Sequence, residues 1–233
     1  MLDLGTSFVA SVARDPNTLA IVDDGVRLTY AQWYARISSL VAAFDRIGLK
    51  PGDHVVTVLQ NCEAAATLHW ASQLAGIVIT PVNWRAKEDE LDFCIENSEA
   101  CAVVYQDVSA PAVEKSRRAA ALATIYVGSD DAAGKFDFRR MIAERAPDAT
   151  PRVSAEAWSI MLYTSGTTSR PKGAMHCHLA VVMAVMSNCI EMQLGRDDGI
   201  TGQFPLFHCA GHVLLLTYLS VGGRMARCAA SIR

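Results

Sequence analysis

Apolar positions along the chain follow two alternating periods. Between Thr29 and Ile47 the residues Trp33, Ile37, Leu40, Val41 and Phe44 recur at steps of three and four, which predicts a helix with one buried face. Thr29 is its expected N-cap and Gly48 its terminator. Upstream, a short amphipathic helix is expected over 7–13. Two brief runs, 20–23 and 26–29, flank Asp24-Gly25, the signature of a tight hairpin. Downstream come short apolar runs at 55–59, 77–80, 102–105 and 124–127, each the length of a buried strand. Helical patterns separate them: one from an expected cap at Asn61 to Gly76, one over 87–97 and one over 111–123. A short helix is expected over 136–145. The Pro- and Thr-containing stretch 147–154 reads as a linker into a strand ending at Ile160, Met161 and Leu162. One long helix is then predicted over 174–193, apolar nearly all round, hence largely buried, and ended by Gly195. A strand over 200–204, a helix over 209–219, a turn at Gly222-Gly223 and a strand beginning at Met225 complete the pattern. Alternating strands and helices predict an α/β fold with mostly parallel sheets flanked by helices.

Composition narrows the class. The chain has 233 residues, 51% of them hydrophobic, and a formal net charge of −3, which fits a well-filled core and offers no nucleic-acid surface. A first lobe over 1–150 and the start of a second over 151–233 are expected. No apolar run approaches the roughly 20 residues of a membrane span, and the first residues lack the basic start of a secretory signal. The seven cysteines show no C-x-x-C spacing, and an odd number cannot all pair internally, so reduced thiols and a cytoplasmic location are expected.

The stretch Tyr163 to Gly173, Y-T-S-G-T-T-S-R-P-K-G, carries the densest chemistry. A strand, a flexible hydroxyl-rich loop and a helix in succession would suit a phosphate. Gly166 lets a backbone N–H approach an anion, Thr164, Ser165, Thr167 and Thr168 offer hydroxyl donors, and Lys172 supplies a mobile cation behind Pro171. The Walker pattern is not met, because Lys172 is followed by Gly173 and not by a hydroxyl residue. Ser169-Arg170-Pro171-Lys172 fits the Ser-x-x-Lys of serine acylases, without the Ser-Asp-Asn and Lys-Thr-Gly partners. A solvated linker is the bland alternative. His176-Cys177-His178 with His208, Cys209 and His212 offers a rival zinc reading, without an H-E-x-x-H motif.

The same stretch resembles the signature loop of the adenylate-forming superfamily, with Ser169 where that family usually has Gly. Pro205-Leu206-Phe207-His208-Cys209-Ala210-Gly211 looks like its second signature, P-L-F-H-x-x-G. Leu28-Thr29-Tyr30, the segment 48–55 and Pro81-Val82-Asn83-Trp84-Arg85 resemble N-terminal landmarks of its acyl-CoA ligase branch, and all occur in family order.

The resemblance implies the N-terminal portion of an ATP-dependent acyl-CoA ligase, expected to be inactive by itself, with ATP, magnesium, coenzyme A and a small carboxylic acid as cofactors and partners of the full-length protein. Thr164, Ser165, Gly166, Thr167, Thr168 and Lys172 would hold the β- and γ-phosphates, and Thr168 would assist the magnesium ion. His208 would lie beside the acyl carboxylate, with Lys172 as its catalytic companion and Gly211 and His212 near the acyl pocket. Arg85 is read as structural, through an ion pair or cap contact, with a coenzyme A role as the alternative. The adenine, ribose and late-lysine motifs of the family are not found in these residues. The alternatives are a non-catalytic ATP- or partner-binding fragment, and a serine or zinc hydrolase using Ser169 or the histidines.

Overall fold

The computed structural model describes residues 2–128, 136–164 and 171–226. Helix α1 (Leu4–Arg14) starts at Asp3, whose carboxylate accepts from the Thr6 N–H at 2.8 Å. Strands β1 (Leu19–Asp23) and β2 (Val26–Thr29) form an antiparallel hairpin. Its two turn residues, Asp24 and Gly25, have φ of 37° and 83°, the left-handed pair that matches the twist of the strands. Helix α2 (Tyr30–Arg46) opens with Thr29 and Gln32 in a reciprocal capping box. Every residue of its predicted apolar face is at most 2% exposed.

The alternation then builds a seven-stranded sheet. In chain order come β3 (His54–Val58), α3 (Glu63–Ala75), β4 (Val78–Pro81), α4 (Glu88–Asn97), β5 (Ala102–Gln106), α5 (Ala110–Lys115), β6 (Ala123–Val127), β7 (Phe136–Asp137) and α6 (Phe138–Ala143). Two further strands, β8 (Trp158–Thr164) and β9 (Lys172–Cys177), extend the sheet to the order β7-β6-β5-β3-β4-β8-β9. All neighbours are parallel except β8 and β9. The central strands β3, β4 and β5 are largely apolar because both faces are covered. Val55 joins the core with α2 and α3, while Val56 and Val58 pack with Leu91 of α4 and Val113 of α5. At the centre of the larger core the Phe8 ring stacks on Trp70 at 4.6 Å and meets Trp33 edge-on at 5.5 Å.

A four-stranded sheet, β10-β11-β1-β2, is completed by β10 (Gly199–Thr201) and β11 (Arg224–Ala226), with α7 (His178–Glu191) and α8 (Cys209–Ser220) alongside. Both sheets therefore take strands from either side of the expected lobe boundary at residue 150. The 147–154 stretch is a connector within the fold, tied down by Arg152, whose N–H donates to Leu74 O at 3.1 Å.

The structure corrects several expectations. Residues 172–177 form a strand, so the helix expected from residue 174 begins only at His178. The pairing of β9 with β8 overrides local helix pattern there. Helix α7 buries His178 and a stripe of Val181, Val182 and Val185, while Met183, Met186 and Ile190 lie 51%, 45% and 74% exposed. It ends before Gly195: Gln193 takes the left-handed turn at φ 52°, and the Leu194 N–H donates to Cys189 O at 3.0 Å. The helix expected over 111–123 stops at Lys115. Ser116 turns out to donate to Asp92, which also accepts from the Arg118 N–H. Asn61 is not a helix cap: α3 is entered through Cys62 without a side-chain cap.

Candidate active site at the carboxyl edge of the large sheet

The hydroxyl-rich stretch joins β8 to β9. These strands pair antiparallel in a register that sets Thr164 directly opposite Lys172. The Thr164 hydroxyl donates to Lys172 O at 3.4 Å across the base of the hairpin. Ser165, Gly166, Thr167 and Thr168, with Ser169, lie outside the described residues. The expected strand–loop–helix is thus a strand–loop–strand. No helix N-terminus follows the loop directly, so an anion there would draw on loop N–H groups, hydroxyls and the exposed Lys172 ammonium. Tyr163 anchors the end of β8: its hydroxyl donates to Asn97 Oδ1 at 2.9 Å, and burial pushes its pKa up, with Cys94 adding to the effect. A Ser-x-x-Lys pair needs helical spacing to bring both side chains to one face, whereas Lys172 begins a strand.

Thr164 lies at the carboxyl end of β8, and the turn after β3 lies on the same edge, since β3, β4 and β8 run parallel. Two strand spacings, about 10 Å, separate them. That turn carries Asn61, whose amide spans a chain separation of more than 140 residues. Its Nδ2 donates to Gly202 O at 3.0 Å and Phe204 O at 2.7 Å, and its Oδ1 accepts from the Leu206 N–H at 2.8 Å. The segment so held leads into His208, the N-cap of α8. His208 is exposed, and its Nδ1 accepts from the Ala210 N–H at 3.3 Å, which leaves Nε2 as the protonated nitrogen of the neutral ring. Gly211 sits hard against the same segment: a Cβ there would lie 2.2 Å from Pro205 O and 2.7 Å from Phe204 O. Only a glycine lets the first turn of α8 close on that backbone. A narrow apolar cleft beside it, lined by Phe204, Leu206, Gly211 and Leu214, has a volume of only about 10 Å³.

His212 turns inward instead. It is 3% exposed, and its ring meets that of the buried His69 at 4.3 Å in a T-shaped contact. Burial, helped by the nearby His176, pushes the His212 pKa down to about 3. His69 is driven well below the ordinary value by burial, then by His212 and His178. Among the described residues, neither ring nitrogen of His69 has a hydrogen-bond partner, nor has His212 Nε2 or His178 Nε2. His178 Nδ1 accepts from the Leu4 N–H at 3.3 Å. His176, by contrast, is exposed. Among the described residues no three His, Cys, Asp or Glu side chains are grouped to hold a metal ion. The expected magnesium ligand, Thr168, lies outside them. Arg85 neither caps a helix nor forms an ion pair shown by the structure; its guanidinium stacks 3.7 Å above the Trp84 ring. Among the described residues no helix is long and apolar enough to cross a membrane.

Neither Asn61 nor His69 is marked as a site residue by the sequence. Asn61 sits where a helix cap is expected, and its partners lie far along the chain. His69 occupies a helix whose neighbours Leu68, Trp70 and Ala71 are all core.

Comparison with known proteins follows the same lines. The sequence model of the AMP-binding enzymes matches residues 8–231. A feruloyl-CoA synthase of Amycolatopsis is 31% identical over 221 residues, covering 94% of this chain and 43% of that protein. A long-chain-fatty-acid–CoA ligase of Mycobacterium tuberculosis is 28% identical over 188 residues, 79% of this chain and 36% of its own length. The chain thus spans less than half the length of these curated relatives. Among solved structures, ATP-bound MatB of Rhodopseudomonas palustris superposes with a TM-score of 0.84 at 27% identity, over 96% of this chain and 45% of MatB. The N-terminal domain of FACL13 from M. tuberculosis shares the fold with a TM-score of 0.86 at 22% identity, over 98% of this chain and 57% of that one.

Proposed function

The chain belongs to the family of AMP-binding enzymes, and from that premise we propose that it is the N-terminal portion of an ATP-dependent, AMP-forming acyl-CoA ligase. The observation that carries this reading is the register of β8 and β9, which fixes Thr164 and Lys172 face to face at the base of the hydroxyl loop. In the first half-reaction a carboxylate oxygen bonds to the α-phosphorus of ATP as the bond to pyrophosphate breaks. In the second, a thiolate sulfur of coenzyme A bonds to the acyl carbon and AMP leaves. The obstacle in the first half is the approach of an anion to a polyanion. Fixed donors and a cation aimed at the phosphates offset that repulsion without reorganising during the reaction.

Within this reading Lys172 neutralises the β- and γ-phosphates, with Thr164, Ser165, Gly166, Thr167 and Thr168 as hydrogen-bond donors. His208 presents its Nε2–H to the acyl carboxylate and so orients the attacking oxygen. Magnesium, held through Thr168, would add charge neutralisation at the phosphates. The acid is a carboxylic acid of the fatty or aromatic class, the classes named for the relatives.

Acid-dependent ATP–pyrophosphate exchange and trapping of an acyl-hydroxamate, both in the full-length protein that contains this portion, test the proposal. Lys172→Ala should slow adenylation by about one to three orders of magnitude. Exchange that is unaffected by Lys172→Ala would sink the assignment of the loop. A second reading, a binding portion without turnover by itself, is favoured by the exposed apolar face of α7, a surface of the kind that seeks a partner. Sedimentation that shows self-association, together with no exchange, would support it.

A further inference from the structure

We propose that Asn61 is the positioning residue of His208, fixing the segment from which that imidazole is presented to the acid. This rests on the role given to His208 above. Asn61 is held before it holds anything else. On one side the Gln60 N–H donates to Gln106 Oε1 at 3.0 Å, and Gln106 Nε2 returns a bond to Gln60 Oε1 at 3.1 Å. On the other, the Glu63 N–H donates to Asp23 Oδ2 at 2.6 Å. The turn is therefore tied to β5 and β1 as well as to β3, and its side chain leaves from a rigid base.

From that base one amide makes three bonds to a segment with little regular structure of its own. Both Nδ2 hydrogens are used, on Gly202 O and Phe204 O, and Oδ1 takes the Leu206 N–H. This pattern uses both N–H donors of the carboxamide and one of the two lone pairs of its oxygen. Aspartate keeps only the acceptor and sets a negative charge against two carbonyls; serine is too short to reach all three. The held segment passes the constraint on. The His208 N–H donates to Pro205 O at 3.0 Å, the His212 N–H donates to His208 O at 3.0 Å, and Gly211 packs against Phe204 and Pro205. A continuous set of bonds thus runs from the carboxyl end of β3 to the backbone that carries the His208 ring.

The test is nuclear magnetic resonance on the 233-residue chain with labelled histidine and asparagine. In the unaltered protein the Asn61 side-chain amide hydrogens and the Leu206 N–H should exchange slowly, and the His208 ring should show a protonated Nε2 with Nδ1 as acceptor. Asn61→Ala should speed Leu206 exchange, and both Asn61→Ala and Asn61→Asp should move the His208 ring nitrogens toward averaged tautomers, which a loss of stability alone would not do. Asn61→Ser serves where the alanine variant does not fold. Fast exchange of the Asn61 amide in the unaltered protein overturns the proposal, as do His208 ring signals unchanged in a folded variant. In the hydroxamate assay Asn61→Ala should lower kcat about 10- to 100-fold with little change in KM for ATP. No hydroxamate from the unaltered full-length protein would count against the ligase reading, while the resonance outcome still decides the role of Asn61.

Discussion

Lowering the pH from 7 to 5 should destabilise this fold through its buried imidazoles. His212 has a folded pKa of about 3, against an ordinary value of 6.5. Between those values the unfolded chain binds the extra proton and the folded one does not. The stability is therefore complete above about pH 6.5 and is lost as the pH falls toward 3. At pH 5 the linkage relation gives a loss of about 2 kcal/mol from His212 alone. For a domain of this size that corresponds to a fall in Tm of roughly 4–8 °C. His69, shifted in the same direction, adds to it. His178 and His54 are shifted down by burial too, opposed in the first by Asp3 and in the second by Glu99 and Asp53. The lowered carboxylates, Asp45, Asp92 and Glu156, titrate below this window. The assay is urea unfolding followed by tryptophan fluorescence at pH 7 and pH 5, for the unaltered chain and for His212→Leu. Any constant packing effect of the leucine cancels in the difference between the two pH values. The variant should lose about 2 kcal/mol less than the parent between pH 7 and 5. An identical pH dependence in parent and variant would refute the reasoning.

Gly211→Ala should destabilise by about 1–3 kcal/mol, because the new methyl meets backbone oxygens that cannot swing aside, and should disturb the His208 segment; thermal melts and the His208 ring signals report both. Thr29→Ala removes the capping box of α2 and should cost about 1 kcal/mol, read from the urea midpoint, with no effect on nucleotide binding. Ile190→Gln, at a 74% exposed position, should leave the melting temperature nearly unchanged and reduce self-association in sedimentation runs. Lys172→Ala should likewise leave stability unaltered while it weakens ATP binding measured by titration, since the side chain is exposed on β9.

The sequence by itself determined what local physics can determine. The face of α2 and its Thr29 cap, the Asp24-Gly25 turn and the short two-face apolar strands all follow from spacing and turn chemistry, because each depends on neighbours a few residues away. The alternation of those elements was enough for an α/β fold with mostly parallel sheets, and the signature residues were enough for the family. Only the tertiary structure decided the rest. Residues 172–177 form a strand because β8 offers hydrogen-bond partners in register, a contact invisible to periodicity. The apolar residues of α7 divide into a buried stripe and an open face according to what packs against them, which their similar hydrophobicity does not encode. Asn61 carries a common cap residue's chemistry, yet its three bonds go to a segment more than 140 positions away. His69 and His212 reach each other across a similar distance, on separate helices. Local propensity acts over a few residues, whereas strand partners, buried pairs and the placement of a site depend on groups that meet only once the chain has folded.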